Sequence, residues 1–290
     1  MRRPQGGQVA ESRGAPLRLV CIDVDGTLVG SDGAVHPEIW SVAVRARAAG
    51  LRLAICSGRP ALGLARNYAA RLDADGWHSF QNGASVLHLG TGESLSAQLS
   101  PDVVEMLLER AHTSGRILEL YTDEGYVVEA STDRVRAHAA LLGVPFNPQP
   151  FSSLPGPYVR AQWLLDNDDA LVVLAQPHPG LELSPSTSPV MPDTTFVNMT
   201  PAGVTKATAV RTIALSYGIT LEQVMFVGDG GNDVPPMRLV GVPVAMANAE
   251  HQALATAMHI VRHVDDGGLV DALELAISLY TLPHSLPLLS

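Results

Sequence analysis

With 290 residues, 46% of them apolar and 17% charged, the chain is long enough for about two domains and too apolar to be disordered. Its formal net charge of −10 argues against a nucleic-acid partner, which calls for a clustered basic face, so an anionic small substrate would need a local cationic pocket. Its two cysteines, Cys21 and Cys56, sit inside apolar runs and are expected as buried free thiols of an intracellular protein rather than a disulfide framework.

The opening "MRRPQGGQVAESRGAP" has two arginines but no apolar segment behind them, and reads as a disordered arm over residues 1–16. No apolar run reaches the length of a bilayer span, so a cytoplasmic address without a membrane partner is expected. Next comes "RLVCIDVDGTLVG", an apolar strand ending in two carboxylates, Asp23 and Asp25, and a glycine turn. Their i, i+2 spacing points both side chains to one side of an extended segment. "HPEIWSVAVRARAAG" carries Ile39, Val42, Ala43 and Ala46 at helical spacing, with Pro37 near its first turn and Gly50 just past its end. "LRLAICS" is a second strand, and "RPALGLARNYAARL" a second helix with Pro60 in its first turn. This alternation marks a parallel sheet with right-handed crossovers.

The middle of the chain reads differently. "SVLHLG", "ESLSAQL", "RILELYT" and "GYVVEA" are short strands in hairpin-like pairs, while "PDVVEMLLERAHTSG" and "STDRVRAHAALLG" are helices. The proline-dense "VPFNPQPFSSLPGP" is a loop, after which "YVRAQWLLD" resumes as a strand. From "TPAGVTKATAVRTIALSYG" onward the helix–strand alternation returns, through the strands "QVMFVGD", "GVPVAMAN" and "MHIVRHV". The expected fold is therefore an α/β, doubly wound, mainly parallel core over residues 17–84 and 196–290, with an α+β domain inserted over 85–195.

Ligands of a parallel sheet gather at the carboxyl ends of its strands. Leaving those ends are Asp23, Asp25 and Thr27; Ser57 and Gly58; Asn82; and Asp229, Asn232 and Asp233. Converging carboxylates repel one another unless a cation intervenes, and their oxygens suit Mg²⁺. Donors for a phosphate would be the Ser57 hydroxyl, the Gly58 amide at a helix N-terminus and Lys206. A lysine in the first turn of a helix has the wrong sign for the macrodipole, and a neighbouring anion would explain it.

"DVDGT" after a strand, "CSGR", the lysine of "GVTKATAV" and "GDGGND" stand in the order of the four motifs of the haloacid dehalogenase (HAD) superfamily, which the chain resembles over nearly its whole length after Pro16. The insertion looks like the C2 cap of the Cof-type, subclass IIB branch. The resemblance implies a Mg²⁺-dependent phosphatase acting on a small phosphorylated metabolite, sugar phosphates being common substrates of that branch. Asp23 would be the nucleophile that forms an aspartyl phosphate, and Asp25 the acid and base. Mg²⁺ would be held by Asp23, Asp229 and the Asp25 carbonyl, with Asp233 helping directly or through water. Ser57, Gly58, Lys206 and Asn232 would hold the phosphoryl oxygens. Asn82 of "QNGA" is a candidate substrate contact, as is Asn198, which replaces an acidic residue often found before the lysine motif. Ala207, Pro236, Pro243 and Ala247 also depart from the family pattern without removing a catalytic group.

Taken singly, these signals are weaker. Ser57 alone is a candidate helix cap, Lys206 a surface lysine, and "QNGA" a turn. The ten histidines are scattered and read as structural or solvated, since His259 and His263 have helical metal spacing on a predicted strand. A phosphomutase would share the architecture but return the phosphoryl group to another hydroxyl. A phosphoacceptor signalling module would share the acid, hydroxyl and lysine chemistry, but as a compact single domain of about 120 residues without a cap.

Overall fold

The computed structural model describes residues 16–188 and 190–280, so all of the expected arm except Pro16 lies outside the described residues. The chain opens with β1 (Leu19–Ile22), α1 (Glu38–Ala49), β2 (Arg52–Ile55) and α2 (Gly63–Asp73). A hairpin of β3 (Trp77–Phe80) and β4 (Ser85–His88) leads to α3 (Pro101–Ser114), β5 (Ile117–Tyr121), β6 (Tyr126–Val128) and α4 (Asp133–Leu142). Next are β7 (Arg160–Asp166), α5 (Asn167–Leu174), β8 (Leu181–Ser188) and β9 (Met191–Pro201). The remainder is α6 (Lys206–Ser216), β10 (Val224–Gly228), α7 (Val234–Met237), β11 (Val242–Met246), α8 (His251–Thr256), β12 (His259–Val261) and α9 (Gly268–Tyr280).

Five parallel strands, in the order β12, β11, β10, β1, β2, form the central sheet. In β1, Val20 and Ile22 enter one apolar cluster while Leu19 and Cys21 enter another, and β2 and β10 divide in the same way. The sheet is thus buried on both faces, which is why its strands read as unbroken apolar runs. Each such side chain contributes about 1.5–3 kcal/mol by leaving water. Strand order reverses at β1, between β10 and β2, and opens a crevice at the strand ends. Asp23, Ser57 and Asp229 all emerge on that edge.

The helices follow from the same patterning. Ile39, Val42, Ala43 and Ala46 are the buried residues of α1, and Gly50, at φ 106°, ends it by returning its N–H to Ala46 and Arg47. Pro60 does not open α2: Leu62 is extended ahead of Gly63, and Pro60 lies between bends at 58–59 and 61–62. β3 does not continue the parallel ladder either. It pairs antiparallel with β4 and touches the core sheet through one parallel bridge, Cys56 to Ser79.

A second, antiparallel sheet runs β6, β5, β7, β9, β8 and belongs to the inserted α+β cap. Leu118, Leu120, Ala161, Trp163, Leu165, Val197 and Met199 pack one face of it against the cap helices. With a period of two, the intervening Glu119, Arg160, Gln162 and Asn198 stand on the other face, and all four are buried. The expected return to the core at 196 falls within β9, which runs on to Pro201. "ESLSAQL" is not a continuous strand: it meets β4 through the bridge Leu87–Ser94 and through the Leu95 and Ala97 N–H groups on the Val86 and Ala84 carbonyls, but the Val86 N–H goes to the Ser96 hydroxyl, and Ser94 and Ser96 donate to Asp123, so side-chain bonds interrupt the ladder. β8 escapes prediction because it carries Pro185 and a mixed burial pattern, both tolerated since it is the edge strand.

Candidate active site

The opening segment does not remain extended. Val24 sits at a bend, and its carbonyl accepts the N–H groups of Leu28 and Val29 at 3.0 and 2.8 Å. Asp23 and Asp25 therefore part company: the Asp23 side chain is 9% exposed and the Asp25 side chain 61%. Asn248, just past β11, pins the turn by donating to the Gly26 carbonyl at 2.8 Å. Thr27 donates its hydroxyl to Asp229 Oδ1 at 2.9 Å, tying the first motif to the last.

Lys206 is the first residue of α6, capped by Thr205 and Thr208. Its Nζ donates to Asp23 Oδ1 at 2.6 Å and to Asp233 Oδ1 at 2.7 Å, so two carboxylates are the anions that offset its unfavourable place on the helix dipole. Burial alone pulls this ammonium down, but Asp23 and Asp233 outweigh it and hold the charge firmly. Asp233 Oδ2 accepts the N–H groups of Asp229 and Gly230, both at 3.0 Å, which shapes the "GDGGND" loop. Asp23, Asp229 and Asp233 each offer an oxygen within 4.8 Å of the others. Burial, then the charge of Asp233, pushes Asp23 well above the carboxylate range and Asp229 up to about 7. Three carboxylates face the single ammonium of Lys206, so the cluster is short of positive charge. The residues fit a hard divalent cation: the donors are carboxylate oxygens, and the space beside Asp229 is kept open by Gly26, where a Cβ would stand 2.2 Å from Asp229 Oδ2.

The second motif is arranged by its own backbone. Ser57 is fully buried, gives its N–H to Ser79 and accepts the Arg59 N–H on its hydroxyl at 3.0 Å. Gly58 lies in a bend five residues ahead of α2, not at that helix's N-terminus, so no helix dipole supports its amide. Gln81 and Asn82 both adopt φ 55°, a left-handed conformation uncommon for side chains other than glycine. This sets Asn82 Oδ1 to accept from Asn232 Nδ2 at 3.1 Å, joining two of the predicted contacts.

These groups line one cavity of about 720 Å³, of which Asp23, Asp25, Gly58, Asn82, Lys206 and Asp229 form part of the wall. Asn232 and Asn198 line it too, whereas Ser57 and Asp233 stand behind the lining. Three functional candidates were missed from the sequence. Arg59 grips Asp25 with both ends of its guanidinium, Nε to Oδ2 at 3.0 Å and Nη2 to Oδ1 at 2.5 Å. Arg160 of β7 reaches across from the cap and donates Nη1 to the Gly58 carbonyl at 2.7 Å and to Asn198 Oδ1 at 3.0 Å. His138 joins Gln162 and Glu119 in a buried cluster on the cap side. The signal for the cap residues was there: Arg160 and Gln162 alternate with Ala161 and Trp163, a polar face on a strand too apolar to be wet.

A sequence profile of the haloacid dehalogenase-like hydrolases matches residues 20–273. The HMP-PP phosphatase of Cronobacter sakazakii is 26% identical over 248 residues, 84% of this chain and 89% of that protein. A haloacid dehalogenase-like hydrolase from Bacteroides thetaiotaomicron superposes with a TM-score of 0.79 at 25% identity, over 89% of this chain and 99% of the other. A subclass IIB sugar phosphatase of the superfamily shares the fold with a TM-score of 0.75 at 23% identity, over 90% and 99%. With its acid cluster at the strand ends, its buried lysine and its α+β cap, the chain belongs to the haloacid dehalogenase-like hydrolases and is a phosphatase of that family.

Proposed function

We propose that this phosphatase hydrolyses a small phosphorylated metabolite, of the sugar phosphate class, with Mg²⁺ as cofactor and an aspartyl phosphate on Asp23 as intermediate, in the cytoplasm. The observation that carries the reading is Lys206 bridging Asp23 and Asp233 at the wall of the cavity. In the first step a carboxylate oxygen of Asp23 attacks phosphorus, the bond to the leaving oxygen breaks, and Asp25 gives that oxygen a proton. In the second, Asp25 takes a proton from water, whose oxygen displaces Asp23 from phosphorus and frees inorganic phosphate. Asp25 must leave Arg59 to do either, because the guanidinium engages both of its oxygens. Lys206, Asn232, the Gly58 amide and the Ser57 hydroxyl hold phosphoryl oxygens.

Asp23, Asp229 and the Asp25 carbonyl would hold Mg²⁺, with Asp233 ordering the Asp229 loop and Lys206 around it. Bound there, the ion offsets the negative charge of the aspartates and the phosphate. The reading assigns 17–84 and 196–290 to the catalytic core and 85–195 to the cap, with the second crossing completed where β9 ends at Pro201. The test is a screen of phosphorylated metabolites for phosphate release, with the trapped phosphate mapped by peptide analysis. Inorganic phosphate and label on Asp23 are expected. An isomerised ester without phosphate release, or label elsewhere, overturns the reading.

A further inference from the structure

Three cations line the cavity at fixed places, and their partners differ. Lys206 is bound by Asp23 and Asp233, and Arg59 by Asp25. Arg160 is 2% exposed, yet among the described residues no carboxylate lies within salt-bridge distance of it. Its partners are the Gly58 carbonyl, the Asn198 amide oxygen and the face of Tyr121, 3.9 Å from the guanidinium carbon. Its Nε is buried with no partner at all. The Asn198 amide is fixed with its oxygen toward Arg160, because Nδ2 donates to the Ser184 carbonyl and the Ser186 hydroxyl. Asn198 thus supplies an acceptor but no charge.

The nearest acid does not fill the gap. Glu119 is held by Tyr121, His138 and Gln162. Glu182 and Glu250, which also line the cavity, make no bond to Arg160. Burial accordingly pulls the guanidinium down from its ordinary range, although an arginine keeps its proton. The Glu119 charge offsets only part of this burial from outside contact distance, and a buried charge with no counter-charge in contact is costly; a site facing a substrate cavity can receive one from the ligand.

We propose that Arg160, held by Asn198, receives a second anionic group of the substrate, so that the preferred esters carry a carboxylate or a further phosphate besides the one cleaved. The proposal rests on the phosphatase reading above and adds the substrate class. The cavity volume suits such a small polar ester. The guanidinium bonds to the same glycine whose amide faces the cleaved phosphate, so the second anion sits on the cap side of that phosphate.

The test compares matched esters: 6-phosphogluconate with glucose 6-phosphate for the carboxylate, and fructose 1,6-bisphosphate with fructose 6-phosphate for the phosphate. The wild-type enzyme is expected to favour at least one acidic member by tenfold or more in kcat/KM, chiefly through KM. Arg160→Gln should bring that ratio near one, Arg160→Lys should keep part of it, and Asn198→Asp, which places the missing charge beside Arg160, should remove it. A wild-type enzyme without preference, or substitutions that lower both members of a pair alike, overturns the proposal. Calorimetric Kd values for the same pairs with the Asp23→Asn protein read the ratio without turnover. If no ester is hydrolysed, the phosphatase reading fails, and the Kd ratio with and without Arg160→Gln still decides the role of Arg160.

Discussion

Gly26 is the residue where a single methyl group should disable the site. It has φ +80°, and an ideal Cβ would lie 2.2 Å from Asp229 Oδ2 and 2.8 Å from its Cγ. Ordinary contact begins at 3.4 Å, so in Gly26→Ala the carboxylate must retreat by about 1 Å. It cannot do so freely, because Oδ1 is bonded to Thr27 and the Asp229 N–H to Asp233. A displacement of about 1 Å at a catalytic group costs on the order of 10²-fold in rate. The left-handed conformation adds roughly 1–2 kcal/mol of strain for any side chain. Gly33→Ala separates the two effects: φ is +77° there, but nothing lies within 4 Å. Denaturant melts should show both variants destabilised by the backbone strain, Gly26→Ala by more because its clash adds to it. Phosphate release, titrated with Mg²⁺, should fall about 10²-fold only in Gly26→Ala, with a raised metal requirement. Wild-type turnover and metal dependence in Gly26→Ala, or an equal loss in Gly33→Ala, would refute the reasoning.

Chelation should reduce phosphate release to background and Mg²⁺ restore it; full activity after confirmed metal removal would exclude the metal reading. Asp25→Asn, assayed with an aryl phosphate whose leaving group needs little protonation, should give a burst of phenol and then a steady state slowed about 10²–10⁴-fold. Wild-type turnover of that variant would deny Asp25 its proton-carrying role. His78 tests the core: Nδ1 accepts the Ile55 N–H at 3.1 Å, Nε2 pairs with the Asp73 carbonyl at 2.8 Å, and burial lowers the ring to about 4. The unfolded chain then binds the extra proton between about 4 and 6.5, so stability is full above that window and declines by about 3 kcal/mol as pH falls through it. Denaturant unfolding of wild type and His78→Gln at pH 7 and pH 4.5 should show a larger loss toward acid in the wild type than in the variant, other groups titrating alike in both, and parallel slopes would dismiss it.

Much of this was legible in the sequence because the signals were local. Apolar runs flanked by glycine and proline placed β1, β2, β10 and β11, and the residues leaving them gave the acid cluster. What escaped depends on turn geometry or on distant residues. The separation of Asp23 from Asp25 comes from a bend at Val24 whose carbonyl takes the amides of Thr27, Leu28 and Val29, a feature that "DVDGT" alone does not reveal. Arg59 stood in the quoted "CSGR" but gained a role only when the fold set it against Asp25. Arg160 lay in a predicted strand, yet its partner Gly58 is 102 residues away in sequence. β8 was invisible because an edge strand with a proline carries no alternating pattern.

The separate partners of the two motif carboxylates bear on which of them can move. Asp23 and Lys206 form a buried pair, and removing one partner from such a pair costs about 3–5 kcal/mol. Asp25 is 61% exposed, so water screens its side of the pair with the part-buried Arg59, and this bidentate pair holds its carboxylate less firmly than the buried lysine holds Asp23. Asp25 is therefore released at a lower cost than Asp23. Those are the demands of the proposed reaction. A nucleophile gains from being held in line with phosphorus, whereas a group that donates a proton on one side of the intermediate and removes one in the next step must reorient between them. Two like charges two residues apart are tolerable because the turn at Val24 gives each its own cation, one fully buried and one part-buried.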